Sequence, residues 1–218
     1  MGLFNRKKKE EANNVDQKLV PLLFGELNDD QLCAKFPEIT SAIKNKQNDA
    51  IREFLLPRAN TGESRLQIAV WNKLRSLSVT PEVSIAKKVL AFVAEVNMGK
   101  DKGVDYLAAY SDNSARYFNY SGKKIFYETP FNQEINNAIQ KLLSFCVPLV
   151  NTIGVWEEPR RGAPDKNAYG LIARLNCLTP SGLMFGEATV EDFLKSPLSK
   201  NIMAQSTVVM KLLIGLDK

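Results

Sequence analysis

The chain has 218 residues, 44% apolar and 24% charged, enough for one good-sized domain or a domain with an appended helical segment. It contains no histidine, which removes Ser-His-Asp and Cys-His mechanisms, His-ligated zinc and the usual general base near pH 7. A formal charge of +5 falls short of the dense basic footprint of a dedicated DNA-binding domain, so nucleic acid is not the expected partner.

Residues 1–14, "MGLFNRKKKEEANN", are polar and charged with nothing to bury beyond Leu3 and Phe4, and read as a disordered basic tail. No apolar run follows the basic residues, so the tail is not a secretory signal, and Arg6 stands where a myristoylation motif needs Ser or Thr. No window approaches the roughly eighteen apolar residues of a membrane span. These features predict a cytoplasmic protein without a membrane span.

From Val15 to about Leu56 apolar residues recur at threes and fours, interrupted at Pro21, Gly25 and Pro37, and the pattern is helical. Asn28 or Asp29 caps a short helix through Phe36. Thr40 or Ser41 caps another, carrying Ile43, Ala50, Ile51, Phe54 and Leu55 until Pro57 stops it. Ser64 opens a third, with Leu66, Ala69, Val70, Leu74 and Leu77 on one face and Trp71 alongside. The break "SVTPE" then divides a helical segment, residues 15–80, from an α+β domain, residues 81–218.

Past Pro81 the period changes. "AKKVLAFVAEVNM" is a near-continuous apolar run, expected as a strand buried on both faces. "VDYLAAYSD", "SARYFNYS" and "KKIFYE" follow as strands joined by short turns, which makes an antiparallel meander of four. Asn113 and Gly122 supply the positive φ that two of these turns need. A helix runs from Asn132 through Leu149, kinked or ended by Pro148. "LIARLNCLT" and "LMFGEATV" form a hairpin about "PSG", and a last helix follows Ser199. The predicted fold class is α+β: a four-strand meander plus a hairpin, packed by helices, with a helical N-terminal segment.

This order of helices, four strands, helix, hairpin and helix resembles that of the class I type III secretion chaperones and related small bacterial folds. The "LAAYSD" and "ARYFNYSG" runs, within residues 104–128, look like those of uncharacterised bacterial cytosolic proteins. The first resemblance implies a protein-binding role; the second implies no known activity.

The aromatic stretch "DYLAAYSDNSARYFNYSGKKIFYE" divides by alternation. Tyr106, Ala108 and Tyr110 share one face, as do Arg116, Phe118 and Tyr120, while Leu107, Ala109 and Tyr117 point to the other. Rings on both faces mark a packed meander with a wet rim rather than a single-strand platform. "SGKK" lacks the glycine spacing of a phosphate loop. The carboxylate pairs Asp29–Asp30, Glu157–Glu158 and Glu191–Asp192 diverge along the chain, and no spacing matches a calcium loop. Cys33, Cys146 and Cys177 are widely separated, and the latter two sit in apolar runs as small hydrophobes. No catalytic residue, cofactor or metal ligand is therefore assigned.

The long loop "WEEPRRGAPDKNAYG" offers Trp156, Arg160 and Arg161, residue types enriched at binding hot spots. With Tyr110, Arg116 and Tyr120 of the meander, these are the candidate partner-binding residues. The leading expectation is a non-catalytic adaptor or chaperone-like protein whose partner is another protein, with a homo-oligomer possible through a free sheet edge. A second reading is weak binding of nucleic acid or an anionic surface through the basic tail, Arg116, Lys123, Lys124, Arg160 and Arg161. A third is a histidine-independent enzyme using Lys, Tyr or carboxylates.

Overall fold

The structure is a computed structural model that describes residues 19–99, 102–164 and 170–216. The basic tail of residues 1–14 lies outside the described residues, as do residues 165–169 of the long loop. The chain divides into two compact units, Met1–Val79 and Thr80–Lys218.

The described part of the first unit is helical. After a short helical stretch at residues 19–23 come α1 (Asp29–Lys35), α2 (Thr40–Lys44), α3 (Asn48–Leu55) and α4 (Ser64–Ser76), with 3₁₀ turns at Pro37–Ile39 and Leu56–Arg58. Asn28 caps α1 through a full capping box: its side chain accepts from the Gln31 N–H at 2.8 Å, and the Gln31 side chain accepts from the Asn28 N–H at 2.9 Å. The single helix expected from Thr40 to Pro57 is instead two. Lys46 takes φ 52°, and the Gln47 and Lys46 N–H groups bond back to the Ala42 and Ile43 carbonyls at 2.9 and 3.1 Å. That is a Schellman ending built on a lysine.

The same ending recurs after α4. Ser78 has φ 65°, with Val79 N–H on the Leu74 carbonyl and Ser78 N–H on that of Arg75. On α4 itself Ile68 is fully buried whereas Leu66 is only half-buried, so the buried stripe is shifted from the expected one.

The second unit is one six-stranded antiparallel sheet in the order β4-β3-β2-β1-β5-β6. Its strands are β1 (Ala91–Asn97), β2 (Val104–Tyr110), β3 (Ala115–Phe118), β4 (Lys124–Tyr127), β5 (Ile172–Thr179) and β6 (Gly182–Thr189). The turn residues Asn113 and Gly122 have φ 67° and 98°. A helical turn, α5 (Val83–Ala86), precedes β1, and α6 (Gln133–Thr152) links the meander to the hairpin. The short α7 (Val190–Lys195), capped by Thr189, leads into α8 (Pro197–Gly215).

Alternation decides which face meets the helices. Phe92 and Ala94 of β1, Leu107 and Ala109 of β2, Tyr117, Tyr127, Leu175 and Cys177 point to one face, where they pack with Ile135, Ile139 and Leu142 of α6 and Ile202, Val209 and Leu213 of α8. Each such aliphatic side chain removed from water contributes about 1.5–3 kcal/mol. Cys146 and Cys177 are buried in this layer; the neighbouring Cys177 thiol, with burial, pushes the Cys146 thiol well above its ordinary range. Pro148 does not end α6, which runs on to Thr152. Among the described residues no helix is long and apolar enough to cross a membrane.

Gly25 tests the packing of the first unit. Its φ is +61°, and a Cβ there would meet Ile68 Cγ2 at 2.7 Å and the Ala69 backbone N at 3.0 Å on α4. Asn72 of α4 also donates to the Gly25 carbonyl at 3.0 Å. Gly25→Ala should therefore lower unfolding stability by about 1–3 kcal/mol, read as a drop in the urea midpoint. An unchanged midpoint would show that residues 19–25 do not dock against α4.

Candidate functional site

The face of the sheet opposite the α6–α8 layer carries a polar network. Glu95 of β1 stands opposite Arg174 of β5, and Arg174 stands opposite Glu187 of β6. Arg174 Nη1 donates to Glu95 Oε1 at 3.3 Å, and its Nε donates to Glu187 Oε2 at 2.8 Å, with Nη2 on the same oxygen. Nη1 also reaches the Arg161 and Gly162 carbonyls at 3.3 and 2.8 Å. One buried guanidinium thus bridges three strands and ties the long loop to them.

Above it sits an aromatic stack. The Trp156 N–H bonds to the Leu183 carbonyl at 2.7 Å, and its ring meets Phe185 edge-on at 5.0 Å. Arg161 lies over Trp156 at 4.6 Å and over Phe185 at 5.7 Å, while Arg174 faces the same Phe185 ring at 5.4 Å. Of the six residues expected to contact a partner, the structure brings Trp156 and Arg161 together, with the Arg160 charge close enough to act on Glu95.

The other three lie elsewhere. Tyr110 is fully buried. Arg116 of β3 pairs with Glu128 at 2.7 Å and stacks over Phe126 at 5.4 Å, and the exposed Tyr120 carries Lys102 over its ring at 5.4 Å. Four strand spacings separate β3 from β6, roughly 19 Å, so these residues do not form one patch with the loop.

Sequence reasoning missed Phe185, Arg174, Glu95 and Glu187. The available signal is a lone charge inside each of two apolar strands, Glu95 in "AFVAEVN" and Arg174 in "LIARLNCLT". Such charges need one another once buried.

Glu95 is fully buried and its pKa is raised: burial outweighs the opposing charges of Arg174 and Arg160 and the hydrogen bonds from Asn176 and Arg174. Its Oε1 accepts from Asn176 Nδ2 at 3.0 Å, whereas Oε2 has no partner among the described residues. A second displaced group, Tyr117, is pushed up to about 12 by burial; the Asn119 amide opposes the shift and the Asp105 carboxylate reinforces it. Its hydroxyl donates to Asp105 at 2.7 Å and stays protonated near neutrality. Among the described residues no three His, Cys, Asp or Glu are grouped to hold a metal ion.

A concavity of about 640 Å³ lies elsewhere in the second unit, between α5 with its following residues and α6. Val89 and Leu143 form a buried floor. Gln140, Ser144 and Val147, spaced i, i+4 and i+7, form one wall of α6. Val83, Ser84, Lys87 and Lys88 form the other wall, and Ser111 of the β2–β3 turn joins the lining.

Three hydrogen bonds tie the surrounding elements together. Gln140 Nε2 donates to the Ser111 carbonyl and to Asn113 Oδ1 at 3.3 and 2.6 Å. Lys87 Nζ donates to the Asn151 carbonyl at 3.4 Å. Val83 is 95% exposed and Val147 45% exposed, so both present apolar surface to whatever enters. The titratable side chains of the lining are the two lysines; Glu95, Tyr117 and Cys146 lie outside it.

Comparison with protein families, with curated proteins and with solved structures finds no match for this chain.

The buried network makes a signed prediction. A carboxyl whose native pKa is raised contributes its full stability below the unfolded pKa, near 4.5, and loses it as pH rises through the native value. Glu95→Gln keeps an acceptor for Asn176 and Arg174 and removes the charge. Urea titrations should show the variant and wild type alike below about pH 4.5, with the variant gaining relative stability as pH rises toward neutrality. Arg174→Met, which strands both carboxylates, should instead cost about 3–5 kcal/mol at pH 7.

Proposed function

We propose that the protein is a non-catalytic protein-binding module, adaptor-like or chaperone-like, that receives a segment of another protein in the groove between α5 and α6. The observation that carries this reading is the pairing of a buried apolar floor with two exposed valines across a concavity of about 640 Å³. That volume falls within the roughly 300–1,000 Å³ of ligand sites. The groove is open to solvent rather than enclosed, which suits a chain segment better than a small molecule. A buried apolar core within a polar rim is the anatomy of a protein interface.

In this reading the Trp156–Arg161 stack and Arg174 anchor residues 156–162 of the loop to the opposite face of the sheet. The free thiols Cys146 and Cys177 agree with a reducing, cytoplasmic setting. A second copy of the chain is a weaker candidate for the partner. The β4 edge is four residues long and carries the exposed Lys124, the kind of short, charged edge that discourages pairing, and the longer β6 edge already takes the Trp156 backbone N–H on the Leu183 carbonyl. Nucleic acid is disfavoured too, since Arg116 is already paired with Glu128 and lies far across the sheet from the loop arginines.

The test is recovery of bound material from the source cells by the full chain and by Val147→Glu, at low salt, at high salt and after nuclease. A stoichiometric protein that survives both treatments and is lost from the variant is the expected result. Loss of the bound material to nuclease or salt would replace this reading with nucleic-acid binding, and a partner retained by Val147→Glu would place docking elsewhere.

A further inference from the structure

We infer that the segment received in the α5–α6 groove is acidic: an extended stretch of a partner protein that sets carboxylates against Lys87 and Lys88 and an apolar side chain against Val83 and Val147. The inference rests on the protein-binding reading above and specifies its partner.

Charge comes first. Lys87 and Lys88 are exposed, and the lining contains no carboxylate to neutralise them. Among the described residues neither forms an ion pair, whereas Arg116, Arg174, Lys73 and Lys195 all do. Two unneutralised ammonium groups beside an apolar floor select for negative charge next to an apolar residue.

Length comes second. From Gln140 to Val147 the α6 wall advances about 10 Å, at 1.5 Å per residue. That accommodates roughly three residues of extended chain. A stretch of Glu or Asp flanking one Leu, Ile or Met fills it.

Backbone chemistry comes third. Pro148 has no N–H, so the Ser144 carbonyl lacks the donor that position 148 gives in an uninterrupted helix. Ser144 lines the groove, and a peptide carries backbone N–H donors. A nucleic-acid backbone brings no comparable donor, and its phosphates gain nothing from Val83, Val89, Leu143 and Val147.

The probes are a fluorescein-labelled Gly-Glu-Glu-Leu-Glu-Glu-Gly peptide, its counterpart with Lys for Glu, and an oligothymidylate, followed by anisotropy at low ionic strength. The expected result is saturable binding of the acidic peptide to the full chain, weakened about tenfold by the double substitution Lys87→Glu and Lys88→Glu. The doubly substituted chain should then take up the Lys-containing peptide, a gain that misfolding does not produce. Equal affinity of wild type and variant for the acidic peptide, no saturable binding of it, or tighter binding of oligothymidylate would each overturn the inference. A cellular partner retained by the lysine variant but lost from Val147→Glu would sink the acidic assignment and leave the protein-binding reading standing. Loss of both peptide and partner binding in the wild type would remove the two together.

Discussion

Strand β1 sets the terms for the second unit, because it is central in the sheet and its two faces meet opposite chemistry. Toward α6 and α8 it offers Phe92 and Ala94, and toward the other side Ala91, Val93, Glu95 and Asn97, of which all four are buried. A one-residue slip would place Glu95 in the apolar layer, so the position of this carboxylate fixes the register as firmly as the apolar side chains do. The neighbours follow from it. Arg174 must stand opposite Glu95, Asn176 must supply an amide to Glu95 Oε1, and Glu187 must take the rest of the guanidinium. A buried ion pair of this kind contributes little net stability against an apolar replacement. What it supplies is a defined arrangement: Arg174 also holds the Arg161 and Gly162 carbonyls, so the same group that registers three strands anchors the loop across them.

The fold was legible where a single period dominates a segment. The alternation in "DYLAAYSD", "ARYFNYS" and "KKIFYE" separates Leu107, Ala109, Tyr117, Ile125 and Tyr127 from their strand neighbours, and all five lie on the helix-covered face, although alternation alone does not say which face that is. Turn chemistry at Asn113 and Gly122 is equally local and equally readable. Helix ends in the first unit are less so, because the left-handed position falls on Lys46 and Ser78, residues with no strong preference for it. There the constraint is the carbonyl acceptors left at the end of the helix, satisfied by main-chain bonds that any residue can make at some cost in strain.

The candidate site was hardly legible at all, for a physical reason. One of its walls comes from residues 83–88 and the other from Gln140, Ser144 and Val147, its floor from Val89 and Leu143, and its lining also takes in Ser111, segments that meet only through the pairing of β1 with β2 and the packing of α6 on the sheet. None has a local signature. Pro148 shows the same limit in miniature: within the sequence it reads as either a kink or an end of the helix. In the structure four further residues continue the helix, tied back by Ile153 N–H on the Leu149 carbonyl and the Thr152 hydroxyl on that of Leu149. The lasting effect of the proline is thus a missing donor one turn earlier, at Ser144.

The unit therefore treats its charges in two contrasting ways. On one face of the sheet Arg174 is almost wholly buried and five of its hydrogen bonds are made within the unit, two to backbone carbonyls and three to carboxylates. Most of its donors are thus used within the unit, and removing it would leave the buried Glu95 carboxyl with the Asn176 amide alone. At the groove, Lys87 spends one donor on the Asn151 carbonyl and Lys88 makes no ion pair among the described residues, while both remain in water. Exposed lysines cost almost nothing to leave unpaired and lose little hydration when a carboxylate arrives at the rim. In the proposed docking the exposed Val83 and Val147 would supply the apolar area that binding buries, and the lysines would select for the charge beside it. Satisfied charge buried on one face, and unsatisfied charge left in water at the groove, is the contrast on which the proposed preference for acidic segments rests.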